Sequence, residues 1–251
     1  MTTSGGTPTR SSVSSWLSKR LRRLGEGIVA LLYPPECVLC GRSLPGLEVV
    51  CASCAGSLPG MTGDRCSVCG AGVDDPQIDL CRSCGTRERG FDRLVALGPY
   101  EGPWGDMVRA LKFDRERAVG RWLSDALTDV VRRDTAIGDV DFITYVPMAF
   151  DERRARGFNQ AQVLARGVAR RLRLPLRRTL IKTRGTRAQA ALSATKRREN
   201  LRGAFRAVPS KGARVLLVDD IATTGSTAEE CARTLKRAGF VSVDVLVVAR
   251  A

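Results

Sequence analysis

The sequence has no histidine, few aromatic residues and no apolar run long enough to cross a membrane. Without histidine, no metal site or catalytic centre in the chain can use an imidazole group. Phe, Trp and Tyr make up 5% of the 251 residues while hydrophobic residues make up 43%, so we expect a core of mainly Leu, Val and Ala. The apolar run at residues 27–33 is far below the ~20 residues that a transmembrane helix needs. We therefore predict no transmembrane segment.

A secretory signal is also missing, because no small-residue cleavage site lies between that apolar run and Cys37. We therefore predict a cytoplasmic location. In a reducing compartment, closely spaced cysteines are expected to hold metal rather than to form disulfides.

Acidic residues are scarce in one stretch of the chain. Between Pro147 and Arg214 there are 19 Lys or Arg against three acids, a formal charge of +16, while the whole chain carries +15. A concentrated basic field attracts polyanions such as phosphorylated small molecules, nucleic acid or an anionic membrane face. The alternative is an ordinary solvated basic surface.

Changes in composition and in hydrophobic periodicity divide the chain into three predicted regions. Residues 1–34 form a leader, which is rich in Ser, Thr and Gly at first and then has the pattern of a basic amphipathic helix. Residues 35–90 are rich in Gly, Pro and Cys, and they have too little hydrophobic periodicity to build a core without a cross-link. Residues 91–251 have the alternating periodicity of a larger domain.

Eight of the nine cysteines form four C-x-x-C pairs, separated by spacers of ten or eleven residues. Zinc prefers four soft ligands in a tetrahedron, so two such pairs complete one site, which is closed and therefore structural. A redox dithiol or an iron–sulfur cluster is the alternative. We predict two structural Zn²⁺ ions, held by Cys37, Cys40, Cys51, Cys54, Cys66, Cys69, Cys81 and Cys84.

The spacers alone do not decide which cysteine pairs combine, because the first pair could join the second or the third. A faint repeat favours sequential pairing, since CVLCGRSLP recurs 29 residues later as CSVCGAGVD. Glycine follows the second cysteine of three pairs, at Gly41, Gly70 and Gly85. At these positions we expect the backbone to turn so that its N–H groups face the sulfurs, which glycine permits.

Residues 91–251 predict an α/β fold. Short apolar runs at residues 94–97, 142–146, 215–218 and 241–248 indicate strands. Helical periodicity is found at residues 104–112, 118–132, 158–172 and 226–237. The ninth cysteine, Cys231, lies among Ala and Leu in the last of these helices and is expected to be a small buried residue. Strands that alternate with helices are typical of a parallel sheet flanked by helices.

Residues 215–227 read VLLVDDIATTGST, which is a strand followed by two acids and a loop of small hydroxyl residues before a helix. Open α/β sheets bind ligands at this end of their strands. Backbone N–H groups, hydroxyls and a helix amino terminus hold phosphate, while the acids suit sugar hydroxyls or a hydrated cation. The alternative, a plain Ser/Thr cap, explains only one hydroxyl. We predict a sugar-phosphate site made of Asp219, Asp220, Thr223, Thr224, Gly225, Ser226 and Thr227.

This segment resembles the signature with which type I phosphoribosyltransferases bind 5-phosphoribosyl-1-pyrophosphate (PRPP), and the wider pattern resembles the ComF family, which is associated with competence and DNA uptake. The matching segments are YPPECVLCG, the four cysteine pairs, YEGPWGDMVRALKF, ERRARGFNQA, QAALSATKRRENLRGAF and VLLVDDIATTGST. The resemblance covers the chain from about Pro34 to its end. It implies a type I phosphoribosyltransferase-like parallel sheet, preceded by a double zinc ribbon.

The resemblance also implies roles for individual residues. PRPP would bind with Mg²⁺, with Asp219 and Asp220 on the ribose hydroxyls and the hydroxyl loop on the 5-phosphate. Residues 182–200 correspond to a flexible loop that closes over PRPP, so Lys182, Arg184 and Gln189 become candidates to reach the pyrophosphate. Together with Arg156, which follows the strand at residues 142–146, this gives four candidate catalytic residues: Asp219, Asp220, Arg156 and Lys182.

One departure from the family pattern affects the loop at residues 146–150. The family usually continues V-P-L-H-P there, whereas this chain reads VPMAF. Any role for a histidine in that loop is therefore excluded. Anion binding can still use Arg153 and Arg156.

Two functions stay open at this point. One is an enzyme that transfers phosphoribose from PRPP to an acceptor that the sequence does not identify. The other is a non-catalytic, PRPP-regulated module that handles single-stranded DNA together with the DNA-uptake machinery. Mg²⁺ and basic side chains would stabilise the departing pyrophosphate, so the lack of histidine is compatible with catalysis. A purely structural zinc adaptor would leave the phosphate-binding pattern unexplained.

Overall fold

A computed structural model describes residues 35–46, 48–73, 75, 77–112, 116–134, 137, 139–183 and 199–251. The predicted leader at residues 1–34, and with it the predicted amphipathic helix, lies outside the described residues, as do Arg184 and Gln189. The chain divides into two compact units, of which one ends at Cys54 and the other begins at Ala55. The three regions expected from the sequence remain predictions.

The larger unit contains a four-stranded sheet in the order β1-β6-β5-β2. All three pairings in this sheet are parallel. Its strands are β1 (Arg93–Pro99), β2 (Phe142–Tyr145), β5 (Arg214–Ala222) and β6 (Ser242–Arg250). A separate antiparallel pair consists of β3 (Leu180–Lys182) and β4 (Phe205–Ala207). The prediction of an α/β fold with a parallel sheet flanked by helices is confirmed.

Aliphatic side chains fill the core, as the composition predicts. The four residues from Val215 to Val218 in β5 are fully buried, and so is almost every residue of β6 from Val243 to Ala249. Strands that read as continuous apolar runs are typical of a parallel sheet covered on both faces. The two central strands, β5 and β6, therefore form the core of the larger unit.

The helices at residues 103–111, 160–172 and 226–237 carry their apolar residues at helical spacing. The larger unit and the cysteine-rich segment together contain seven helices among the described residues. They are α1 (Ala52–Gly56), α2 (Arg82–Gly85), α3 (Pro103–Leu111), α4 (Glu116–Arg133), α5 (Phe150–Arg156), α6 (Gln160–Leu172) and α7 (Ser226–Arg237). Helices α4 and α6 pack closely at Gly167, where the absence of a side chain leaves room for the Ser124 Oγ. A Cβ atom at this position would clash with that oxygen. Among the described residues, no helix is both long enough and apolar enough to cross a bilayer.

The helix predicted at residues 158–172 is present, but it begins two residues later than predicted. Helix α6 begins at Gln160, and a separate short helix, α5, precedes it. Gly157 separates the two helices with a φ of +82°, a left-handed conformation that ends α5. Asn159 caps the amino terminus of α6, because its side-chain oxygen accepts a hydrogen bond from the Gln162 N–H at 3.3 Å.

Asp244 is an acid buried within the sheet. It lies in β6 between Arg93 and Leu216 of the neighbouring strands and is only 4% exposed. Burial and then the nearby Asp92 carboxylate raise the pKa of Asp244 to about 6. The unfolded chain loses this proton near pH 4, so the contribution of Asp244 to stability is present below about pH 4 and is lost as pH rises through 6.

Asp244→Asn is therefore expected to stabilise the protein at neutral pH. The amide is isosteric with the carboxyl group but carries no charge, so the gain should grow from pH 4 to pH 6 and stay constant above. We expect the melting temperature at pH 8 to rise by about 5 °C, as measured by scanning calorimetry. The exposed Asp129 provides the matched control, Asp129→Asn, and an equal rise in both variants would contradict this explanation.

Candidate functional site

Four cysteines of the smaller unit form a compact sulfur cluster, the first cluster. The sulfurs of Cys37, Cys40, Cys51 and Cys54 all lie within 4.8 Å of one another, and those of Cys40 and Cys51 are 3.8 Å apart. Zn–S bonds of about 2.3 Å in a tetrahedron place sulfurs about 3.8 Å apart. The four thiols therefore fit a zinc ion.

The backbone around the first cluster forms a tight turn and then a short helix. Gly41 has a φ of +71°, and the N–H of Gly41 donates to the Cys37 carbonyl at 2.9 Å. Cys51 immediately precedes α1, and its own N–H donates to the Cys37 sulfur at 3.4 Å. A backbone donor on a thiolate stabilises its negative charge, as a metal ligand requires.

The second cluster repeats this arrangement within the larger unit. It contains Cys66, Cys69, Cys81 and Cys84, again with all sulfurs within 4.8 Å of one another. Gly70 has a φ of +66°, and its N–H donates to the Cys66 carbonyl at 2.9 Å. The sulfurs are thus grouped by sequential pairs, as the 29-residue repeat predicts, and the interleaved pairing is excluded.

The expected backbone turn at Gly85 is wrong. Gly85 is the last residue of α2 and is not among the glycines with positive φ. The second cysteine pair of each cluster lies at a short helix, α1 or α2, rather than at a tight turn. The N–H groups of Cys84 and Gly85 donate to the Cys81 carbonyl at 2.9 Å, so the helical turn itself orients this pair.

Equivalent thiols in the two clusters have similar electrostatic environments. Burial raises the pKa of Cys37 and of Cys66, but backbone N–H groups outweigh it, and both pKa values fall to about 6. The last thiol of each cluster differs, because neighbouring thiols raise the pKa of Cys54 to about 12 and burial raises that of Cys84 to about 12. Four thiolates in one cluster thus require a cation.

The predicted sugar-phosphate site lies where β5 ends and α7 begins. Strand β5 continues through both acids to Ala222, four residues beyond the expected end of the strand. Gly225 then adopts a φ of +72°, and α7 starts at Ser226. We name residues 223–227 the phosphate loop. The residues from Ile221 to Ala228 line a small hollow of about 20 Å³.

Hydroxyl groups organise the phosphate loop. The Thr224 Oγ1 and Ser226 Oγ atoms are 2.7 Å apart, and the Ser226 N–H donates to the Thr224 Oγ1 at 3.3 Å. The amino terminus of the 12-residue helix α7 adds its dipole and unsatisfied N–H groups at the same place. The loop therefore combines the features of an anion site.

Asp219 and Asp220 lie side by side next to this loop. Burial and then the Asp220 carboxylate raise the pKa of Asp219 well above its usual range. Lys112, at the end of α3, lies 3.8 Å from the Asp220 carboxylate, an ion pair that sequence patterns did not reveal. Two adjacent carboxylates with one partial counter-charge favour a cation or hydroxyl donors as ligands.

Arg156 and Lys182, the other two candidate catalytic residues, have protein partners. Arg156 ends α5 and donates to the Gln160 amide oxygen at 3.2 Å. The Lys182 ammonium lies 3.3 Å from the Glu152 carboxylate, and its side chain is only 8% exposed. Among the described residues, no hydrogen bond or ion pair joins either side chain to the phosphate loop. Burial and then the Asp219 carboxylate raise the pKa of Cys231 well above its usual range, and the charge of Lys182 offsets only part of this rise.

The loop that departs from the family pattern is held by the same glutamate. Ala149 stands where the family usually has histidine, and it is 6% exposed. The N–H of Ala149 donates to the Glu152 carboxylate at 3.2 Å. Nearby, Gln160 is 1% exposed, and its side-chain Nε2 atom has no hydrogen-bond partner within the described part of the chain. This buried donor beside Arg156 is suited to an anionic ligand.

A second basic feature lies at the opposite end of β2 and β5. A cleft of about 700 Å³, which we name the basic cleft, is lined by Arg177, Arg178 and Lys211 among other residues. The Arg177 guanidinium lies 4.7 Å from the centre of the Phe142 ring. The acid in the cleft, Asp141, already accepts a hydrogen bond from the Arg214 N–H at 2.8 Å. With three basic side chains against this one acid, the lining of the cleft has a net positive charge.

Two family models match the chain. Residues 28–85 match the double zinc ribbon domain, and residues 159–251 match the phosphoribosyl transferase domain. The first match covers both cysteine clusters. The second contains Asp219, Asp220 and the whole phosphate loop, so it supports the predicted fold at the place where the predicted site lies.

Curated relatives cover most of the chain. The DNA utilization protein YhgH of Salmonella typhi is 33% identical over 226 residues, which are 88% of this chain and 99% of that protein. Competence protein F of Haemophilus influenzae is 34% identical over 179 residues, which are 68% of this chain and 78% of that protein.

A solved structure of the allosteric regulatory enzyme of purine biosynthesis is also similar. It is 24% identical with a TM-score of 0.36, and the match covers 51% of this chain and 26% of that one.

We expect the purified protein to contain two zinc ions per chain, one in each cluster. Cys69→Ala should remove one of them and loosen the surrounding fold, because the free energy of metal binding stabilises folding in such sites. Elemental analysis measures both results. Cys231→Ala, which removes a buried cysteine outside the clusters, should leave two zinc ions. A metal content near zero, or iron in place of zinc, would contradict the assignment.

Proposed function

This chain belongs to the ComF family, with the DNA utilization protein YhgH and competence protein F, and from this premise we propose that its phosphoribosyl transferase domain binds PRPP with Mg²⁺. The bound PRPP would be the donor for phosphoribosyl transfer to an acceptor molecule. The supporting observation is the phosphate loop, where hydroxyls, a left-handed glycine and a helix amino terminus follow directly after two carboxylates. A sugar phosphate is the class of ligand that uses both halves of this arrangement.

The residues of the phosphate loop would bind the 5-phosphate. Thr223, Thr224, Ser226 and Thr227 offer hydroxyl donors, and the first turn of α7 offers backbone N–H groups. Because Gly225 has no Cβ atom and a positive φ, the backbone can turn close to the anion. No positively charged side chain is required at this position, since the helix dipole already favours the negative charge.

Asp219 and Asp220 would accept hydrogen bonds from the ribose hydroxyls and hold the hydrated Mg²⁺. The fit of a cation is supported by the raised pKa of Asp219, because the repulsion between neighbouring carboxylates falls when a cation binds. Mg²⁺ neutralises charge on the pyrophosphate when it is bound. Since Asp219 must lose its proton to act in this way, affinity for Mg²⁺ and PRPP should increase as pH rises.

The chemistry of phosphoribosyl transfer needs little proton transfer. The bond between the anomeric carbon and the pyrophosphate oxygen breaks, and the leaving pyrophosphate takes the electron pair while positive charge develops on the ribose ring. Arg156, Lys182 and the Gln160 Nε2 group would stabilise the departing anion as charge and hydrogen-bond donors. An enzyme of this kind can work without histidine.

Asp220→Ala should weaken PRPP binding at least tenfold, about 1.4 kcal/mol or more, because it removes an acceptor for the ribose hydroxyls and for hydrated Mg²⁺. Calorimetric titration with PRPP and Mg²⁺ measures the effect, and Thr224→Val should reduce affinity in the same way. Asp129→Ala, which changes an exposed acid on α4, is the control. If Asp220→Ala and Thr224→Val both bind PRPP like the wild type, the ligand does not use this site.

A second candidate function is single-stranded DNA binding, with PRPP as a regulator and the DNA-uptake machinery as partner. The names of the relatives refer to competence and DNA utilization. The basic cleft offers a surface distinct from the phosphate loop. Phe142 and Phe240 at the cleft are only 3% and 5% exposed, so bases cannot stack on their faces. Binding would depend on phosphate contacts and show little base preference. Such a role belongs in the cytoplasm, which we propose as the location.

Arg178→Glu with Lys211→Glu should abolish most oligonucleotide binding while PRPP binding is retained. A salt titration of fluorescence anisotropy should give a log–log slope of about −0.7 per phosphate neutralised, and the double variant should have a smaller slope. Arg166→Glu with Arg170→Glu, an equal charge change on exposed positions of α6, is the matched control. No binding by the wild type at low salt would exclude this function, and an unchanged slope would exclude this surface.

A further inference from the structure

The second cluster is attached to the sheet through its tight turn. Val68, which lies between Cys66 and Cys69, accepts a hydrogen bond from the Leu94 N–H in β1 at 2.8 Å. A Cβ atom on Gly70 would lie 3.3 Å from the Leu94 carbonyl oxygen. The turn that carries Cys69 therefore packs directly on an edge strand of the sheet.

Arg250 connects the second cluster with the phosphate loop. It is the last residue of β6, in register with Pro99 of β1 and Ala222 of β5. One terminal nitrogen of its guanidinium donates to the Cys69 sulfur at 3.7 Å, and the other donates to the Thr223 carbonyl at 3.1 Å. A single side chain thus joins a zinc ligand to the first residue of the phosphate loop.

Arg89 makes a similar connection on the other side of the loop. Its Nε atom donates to the Cys84 sulfur at 3.2 Å, and a terminal nitrogen lies 3.4 Å from the Glu229 carboxylate. The Arg89 and Glu229 side chains are only 4% and 3% exposed. Glu229 lies in the first turn of α7, where its own N–H donates to the Gly225 carbonyl at 2.8 Å.

The backbone next to Arg89 strengthens this attachment. The Gly90 N–H donates to the Glu229 carboxylate at 3.1 Å. A Cβ atom on Gly90 would lie 2.7 Å from the Glu229 carbonyl oxygen, so the chain passes directly against α7. The segment that leaves the second cluster therefore holds the helix whose amino terminus forms part of the phosphate loop.

Charge explains why metal in the cluster matters for these contacts. Four thiolates around one Zn²⁺ carry a formal charge of −2, which the two arginines balance. A hydrogen bond from a guanidinium to a metal-bound thiolate is charge-assisted and is stronger than one to a neutral thiol. Loss of the metal would release the four sulfurs from their common arrangement, so the sulfur acceptors of both arginines would no longer be held in place.

We propose that the second cluster positions the phosphate loop through Arg250 and Arg89, so that zinc in this cluster is required for tight binding of the sugar phosphate. The inference depends on the proposed function only for the identity of the ligand. Arg250 and Arg89 are positioning residues, because each contacts a zinc ligand and either the phosphate loop or the first turn of α7, rather than PRPP. A cluster that is structural in its own chemistry thereby acquires an influence on ligand affinity.

The test uses the zinc-loaded, full-length protein with Arg250→Gln, Arg250→Lys and Arg89→Gln. Zinc content should stay at two ions per chain, while calorimetry should show at least a tenfold loss of PRPP affinity for the glutamine variants. Arg250→Lys keeps the charge but cannot span both acceptors, so it should recover only part of the affinity. Arg233→Gln is the matched control, because Arg233 also pairs with Glu229 at 2.6 Å but, in the described part of the chain, makes no hydrogen bond to a cysteine.

Hydrogen exchange gives a readout that does not depend on PRPP. Amides of residues 223–229 should exchange at least tenfold faster in Arg250→Gln, and also in the wild type after zinc is removed with a chelator. If the wild type binds PRPP and the glutamine variants bind it equally well, with unchanged exchange, the inference is overturned while the proposed function stands. If the wild type does not bind PRPP, the proposed function fails, and the exchange rates alone then support or overturn the positioning role.

Discussion

The parallel pairing of β5 between β2 and β6 is the constraint on which the candidate site depends. Because the four residues from Val215 to Val218 are fully buried, the register of this strand is fixed on both sides by hydrogen bonds and packing. The strand then delivers two carboxylates and the phosphate loop to the edge of the sheet where β2 also ends. Arg156 and Gln160 follow β2 along the chain, so one short edge collects acids, hydroxyls and basic groups.

The cysteine-rich part of the chain obeys a different constraint, since it has little apolar surface to bury. Its two clusters use the same combination of a left-handed glycine turn and a short helix, repeated at an offset of 29 residues. Metal–sulfur bonds replace a hydrophobic core in such small modules. The second cluster is also connected to the larger domain. Arg89 and Arg250, which donate to its sulfurs and neutralise the thiolates, also contact residues of that domain.

The sequence predicted the features that follow from local patterns. Buried apolar runs predicted the four strands of the parallel sheet, and cysteine spacing with its repeat predicted both clusters and their sequential pairing. Helix α5 was missed because none of its residues is buried, so the sequence shows no apolar periodicity there. Arg250 and Glu229 were missed because their partners lie 181 and 140 residues away, where no local pattern records them. An acid at a core-facing position of the amphipathic helix α7 was the available signal for Glu229.

Glu152 holds two groups together, the N–H of Ala149 and the ammonium of Lys182. An anion that takes Lys182 must therefore displace a carboxylate that is already bound there. Such an exchange is most favourable for a ligand with several charges, which can replace the lost ion pair and satisfy neighbouring donors as well. The same exchange would break the ion pair that joins α5 to β3, while the Ala149 N–H would keep Glu152 as its acceptor, so α5 would lose its connection to β3 but not the cap at its amino terminus.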